Sequence, residues 1–171
     1  MDNLDLRSLA PTFERKITWT DGTEYSIREI EDLTEAEFLG MLTDERDVAN
    51  MSIVDQREMH KRHLQMMVIV PIELSPAAGI DRAAELEQGD VVYAVTVGNF
   101  ERVSVEKVDG SPRFVPPLTV AAGTRSFRAI RKSEIDNLTE RQFSGALRFV
   151  KTPPKKDGDT GGEDRPPVAA I

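Results

Sequence analysis

The sequence writes one thirteen-residue phrase twice. Ile30 to Leu42 reads IEDLTEAEFLGML, and Ile135 to Leu147 reads IDNLTERQFSGAL. Seven of the thirteen positions are identical, and three more are conservative: Glu31 with Asp136, Asp32 with Asn137, and Glu37 with Gln142. Upstream, once four extra residues are allowed, Ile17 to Thr23 (ITWTDGT) matches Leu118 to Thr124 (LTVAAGT). The pattern predicts one unit built twice: two short strands around a Gly-Thr turn, then a capped helix. The units fall at about 14–42 and 113–150.

The helix starts carry the more specific signal. Thr34 and Thr139 each precede an apolar periodic run, with Glu37 and Gln142 three residues on. That is a capping box: the hydroxyl accepts from the N3 amide, and the Glu or Gln accepts from the N-cap amide. Leu33 and Leu138 before the caps, with Phe38 and Phe143 after them, predict a hydrophobic staple in both copies. Gly40 and Gly145 lie mid-helix, where Gly costs about 1 kcal/mol against Ala. Their recurrence fits close approach of another backbone, or shared ancestry with no packing role.

Each strand pair follows a period of two. Ile17 and Trp19 oppose Thr18 and Thr20, and Leu118 and Val120 oppose Thr119 and Ala121. Asp21-Gly22 is a strong hairpin signal; Ala122-Gly123 is weaker. A lone hairpin is marginal in water, so each unit needs cover from elsewhere. The fold class is therefore α+β: two hairpin–helix units joined by a helical middle region. An arm at 1–13, a hairpin-plus-helical domain at 14–110, the second unit at 111–151 and a disordered tail at 152–171 complete the organisation. The tail is rich in Pro, Lys, Asp and Gly.

Between the units, Met51 to Val70 is the longest helical candidate, with Ser52 as N-cap and an apolar, β-branched end. Pro71 and Pro76 close that element. A short helix from Ile80 to Leu86 is expected in the connection. Residues 90–105 fit either assignment: Asp90 can cap a helix to about Phe100, favoured by the stripe, while the β-branched content argues for strand. Asp109-Gly110 marks a turn. Leu86 to Val91 faintly echoes the capped phrase.

Charge is unevenly spread. Residues 1–60 carry six basic and fifteen acidic side chains, and residues 111–156 carry ten basic and three acidic. Opposite signs on two copies of one unit favour association with a complementary surface, the other unit or another subunit. The chain contains no Cys, which excludes a disulfide framework and thiolate chemistry. The start reads as no signal peptide, and no run is apolar enough to span a membrane.

No spacing points to catalysis, a metal or a cofactor. His60 and His63 could share a metal, but no further ligands stand at motif spacing, and a solvated basic face explains them better. The run Arg125, Arg128, Arg131 and Lys132, interleaved with Phe127, could meet phosphates. As a strand it would split Arg125 from Arg128 across the sheet. Partner-binding candidates are the apolar faces of the unit helices and the Met-rich helix: Phe38, Leu42, Met59, Met66, Met67, Phe143 and Leu147. Ordinary core competes with that role for the methionines.

Residues 14–102 resemble the tail assembly chaperones of long-tailed bacteriophages. The carriers are KITWTDGTEYSIREI, the capped LTEAEFLGML helix, VDQREMHKRHLQMMVIV with its following Pro, and LEQGDVVYAVTVGNF. The resemblance implies a non-enzymatic protein of the host cytoplasm, without cofactor. It would bind phage tail proteins such as the tape-measure or tail tube protein. The second unit and basic half depart from the family pattern. That leaves a structural head–tail adaptor of the virion as the alternative, a nucleic-acid-binding adaptor behind it, and room for a homo-oligomer.

Overall fold

The structure, a computed structural model, describes residues 2–74, 86–96, 99–118, 120–121 and 123–153. The expected disordered tail, from residue 154, and the short helix expected from Ile80 lie outside them, Leu86 and residues 152–153 excepted. The architecture is α+β. Seven antiparallel strands form one sheet in the order β1-β2-β3-β7-β4-β5-β6. The strands are β1 (Lys16–Thr18), β2 (Glu24–Ile27), β3 (Val68–Ile72), β4 (Val91–Thr96), β5 (Asn99–Val108), β6 (Ser111–Val115) and β7 (Arg125–Ala129). Among the described residues the α-helices are α1 (Glu35–Asp47), α2 (Ile53–Met67), α3 (Lys132–Asp136) and α4 (Glu140–Lys151).

β1 and β2 pair with Ile17 opposite Tyr25, and Gly22 takes the left-handed φ of +88° that the turn requires. The second hairpin does not form. β6 pairs with β5, and β7 inserts between β3 and β4, so the strands around Gly123 are not partners. Residues 118, 120 and 121 lie outside any strand, although Thr124 N–H still closes a turn onto Ala121 O. The physical reason lies in the turn. Ala-Gly sets no hairpin register, whereas β7 gains two neighbours in the middle of the sheet.

What is duplicated is a strand followed by a capped helix. Both capping boxes are complete: Thr34 Oγ1 accepts from Glu37 N–H at 3.2 Å, and Thr139 Oγ1 accepts from Gln142 N–H at 3.2 Å. The reciprocal bonds to Thr34 and Thr139 N–H are both 2.9 Å. β2 and β7 flank β3 on either side, each antiparallel to it, so the two copies run parallel. Of residues 90–105, 91–96 and 99–105 are strand, not helix: β4 and β5 pair from Val91–Ser104 to Thr96–Asn99. β-branched content outweighs the apolar stripe there because β7 buries β4 from its second edge. The boundary expected at 110 falls in the β5–β6 turn, where Asp109 and Gly110 both take positive φ.

Alternation along β3 sorts the core into two layers. Val68 joins Trp19, Tyr25, Ile27, Leu64, Met67, Phe143 and Val150 beneath α2, α3 and α4. Ile69 points the other way, to Tyr93, Val95, Phe127 and Phe13. Phe13 plugs that second face, its ring 4.9 Å from Phe127 in an edge-on contact. A third cluster, with Leu74, Leu86, Val92, Val103 and Val105, fills the far end of the sheet. The segment from Leu86 echoes the capped phrase only as a turn, in which Asp90 accepts from Glu87 N–H at 2.8 Å before β4 begins.

Candidate functional site

Among the described residues, α1 and α2 carry the four most exposed large apolar side chains on α-helices. Ser52 caps α2, accepting from Asp55 N–H at 3.0 Å, and thereby puts Ile53 and Val54 in the first turn. Gln56 Nε2 donates to the carbonyls of Val48 and Met51, both at 3.2 Å, which ties the connecting turn to α2. The face of α2 that packs inward holds Met59, His63, Leu64 and Met67. Ile53 is left 84% exposed and Val54 70%. On α1 only Met41 is buried, while Leu39 and Leu42 stand 51% and 45% exposed.

A helix with one buried residue needs other fastenings, and α1 has one near each end. At its start Glu37 meets the guanidinium of Arg28, which is fully buried. The ion pair is bidentate, at 2.7 and 3.0 Å. Arg28 also donates to Met66 O and Tyr93 Oη, both at 3.0 Å, and sits 4.4 Å over the Tyr93 ring. Burial alone would raise the Glu37 carboxyl; the hydrogen bonds from Arg28 and the Thr34 amide outweigh it and hold it below its ordinary value.

Near the other end, three helices meet at His63. Asp44 of α1 lies 2.8 Å from Nε2, and Lys151 Nζ of α4 lies 2.9 Å from Nδ1. Lys151 also pairs with Glu45 at 3.2 Å, and Arg62 stands 3.7 Å from Asp44. An ammonium can only donate, so Nδ1 accepts and Nε2–H donates to Asp44: the imidazole is neutral. Burial is the largest cause holding His63 below 6.5, and Lys151 adds to it against the pull of Asp44; His60 is lowered by burial and Lys151 as well. Because the unfolded chain then binds more protons, stability is present above pH 6.5 and falls as pH drops below it. Calorimetry from pH 8 downwards should show the melting temperature falling before the carboxylates titrate. His63→Gln should flatten that early decline; an unchanged profile would remove His63 from the account.

The sequence candidates divide by burial. Met59, Met67 and Phe143 are 1%, 0% and 5% exposed and belong to the core. Met66 and Leu147 are partly buried against it, and Phe38 is half-buried. Leu42 alone of that set stands in the open. The four cations of the basic run are engaged within the chain. Arg128 pairs with Glu134 at 2.6 Å, Arg131 with Asp90 at 2.9 Å, and Lys132 with Glu58 at 2.9 Å. Arg125 donates to Thr12 O at 3.3 Å and lies over Phe127, on the opposite face from Arg128 as the strand period predicts. The opposite charges of the two halves therefore meet partly inside the molecule. No protein-family model, curated protein or solved structure matches the chain.

Sequence reasoning missed Arg28, Ile53 and Val54. Arg28 has no local signature, since its partners Glu37, Met66 and Tyr93 are spread along the chain. Val54 was legible in principle: Ser52 as cap fixes the helical phase, and that phase puts Val54 off the buried stripe, whereas Ile53 is in phase with Leu64 and Met67 and phase alone does not mark it as exposed. Among the described residues no helix is long and apolar enough to cross a membrane.

Proposed function

We propose that this chain is a non-enzymatic assembly factor of a long-tailed bacteriophage, and that it works by binding a tail protein through the exposed apolar side chains of α1 and α2. The observation that carries the reading is the exposure of Leu39, Leu42, Ile53 and Val54 on helices fixed by caps, an ion pair and a buried histidine cluster. Exposed apolar side chains on a rigid element mark contact surfaces when they are grouped rather than scattered. An amphipathic partner helix suits them, because it offers anchors at helical spacing. The tail-protein partner, the tape-measure protein first, comes from the resemblance of residues 14–102.

Co-expression with the tape-measure and tail tube proteins tests the reading. The tagged chain should retain the tape-measure protein. Leu39→Asp with Ile53→Asp should abolish retention while leaving the melting temperature within a few degrees, since neither side chain is in the core. Retention unaffected by the double substitution, or no retention of any tail component, would contradict the proposal.

A further inference from the structure

A second surface, unused by the reading above, lies between β1 and α4. Ile17 and Trp19 form one wall of a groove of about 570 Å³; Leu138, Ala146 and Phe149 form the other. β1 is the sheet's edge. Trp19 N–H donates to Thr23 O and Ile27 N–H to Arg15 O. In an alternating antiparallel ladder this turns the N–H and C=O of Lys16 and Thr18 outward, along the groove. At Gly145, which also lines the groove, a Cβ would meet nothing within 4 Å. The recurring glycine thus leaves open space here rather than admitting a segment of its own chain. Arg141 stands exposed on the rim. The groove is suited to an extended segment that is apolar and acidic.

The chain exposes an apolar segment of the right length, whose one 3-10 turn at Leu6–Leu9 opens for it to lie extended. Ahead of the buried Phe13, residues 2–12 carry Leu4, Leu6 and Leu9 at 69%, 72% and 64% exposure, with a carboxylate at Asp2 and a second, Asp5, paired with Arg7 of the same arm at 2.8 Å. The root of this arm is fixed: Thr12 O accepts from Arg125, and Phe13 packs on Phe127, on the sheet face opposite α4. Arg15, next in line, is held by Glu29 and by the carbonyl of Phe149. Pairing with its own β1 would require the arm to reverse within these pinned residues. Eleven residues extend to about 36 Å, enough to reach a neighbour.

We propose that the arm of one copy lies along the β1 edge of a second copy. Leu4 and Leu6, on one face of the extended arm, pack against Trp19, Leu138 and Phe149, and Asp2 on the same face meets Arg141. Strand addition at an open edge supplies the main-chain bonds, and the apolar wall supplies specificity. A reciprocal exchange closes a two-fold dimer.

Sedimentation velocity of the full chain over a concentration series tests this. The native chain should self-associate. Replacing Leu4 and Leu6 together with Ser should weaken association roughly tenfold or more, since each buried leucine is worth about a tenfold step. Gly145→Leu should do the same by filling the groove, while keeping or raising the melting temperature. Arg141→Glu, on the exposed rim, should give the same direction without touching the core. A native chain that stays monomeric at every concentration overturns the proposal, as does association that survives the arm substitutions or the groove substitutions.

Discussion

Glu37→Ala should cost roughly 3–5 kcal/mol, because it leaves the fully buried Arg28 guanidinium without its countercharge. At about 2–4 °C per kcal/mol for a chain of this size, the melting temperature should drop by roughly 10 °C. The reverse change is milder. Arg28→Met removes the bidentate partner of Glu37, but that carboxylate is 12% exposed, keeps the Thr34 amide as a donor and has Arg102 at 3.7 Å. Removing both charges, as Arg28→Met with Glu37→Leu, should be less destabilising than Glu37→Ala alone, since a buried pair gains little over well-packed apolar groups. Urea unfolding of the three variants decides the matter. If Glu37→Ala costs no more than an exposed capping residue, about 1 kcal/mol, the pair does not anchor α1.

Phe143→Ala should cost about 3–5 kcal/mol, the usual range for deleting a large aromatic side chain from a core. Phe143 is 5% exposed in a cluster with Trp19, Leu64 and Val150. Leu39→Ala, at an exposed position on α1, should change stability by under about 0.5 kcal/mol. The contrast separates the two roles that sequence alone left mixed. A residue in the first group fails by unfolding, and one in the second fails by losing a partner. Equal, small effects at both positions would place Phe143 on the surface and undo the assignment of the core.

Features closed within a few residues were legible. Thr34 and Thr139 cap where a Thr precedes Glu or Gln by three, and both boxes form because every partner lies within one turn. Asp21-Gly22 and Asp109-Gly110 set their turns for the same reason. Features decided by distant pairing were not legible. Leu118 to Thr124 looked like a hairpin because it matches the first copy, yet β7 finds better partners in β3 and β4. Residues 90–105 carry a stripe that suits either period, and only β7 on the far side of β4 makes strand the answer. At the candidate surface, Leu42 could be named from its helix. Met59 and Met67 read as a sticky face because sequence gives the phase of a stripe but not which side the sheet covers.

Hydrogen–deuterium exchange on the complex with the tape-measure protein tests the central claim most directly. The account predicts that binding slows exchange in peptides from α1 and the first turn of α2, around Leu39, Leu42, Ile53 and Val54, and leaves β4 to β6 unchanged. Protection confined to the sheet or the basic run, with α1 and α2 exchanging as in the free chain, would contradict it.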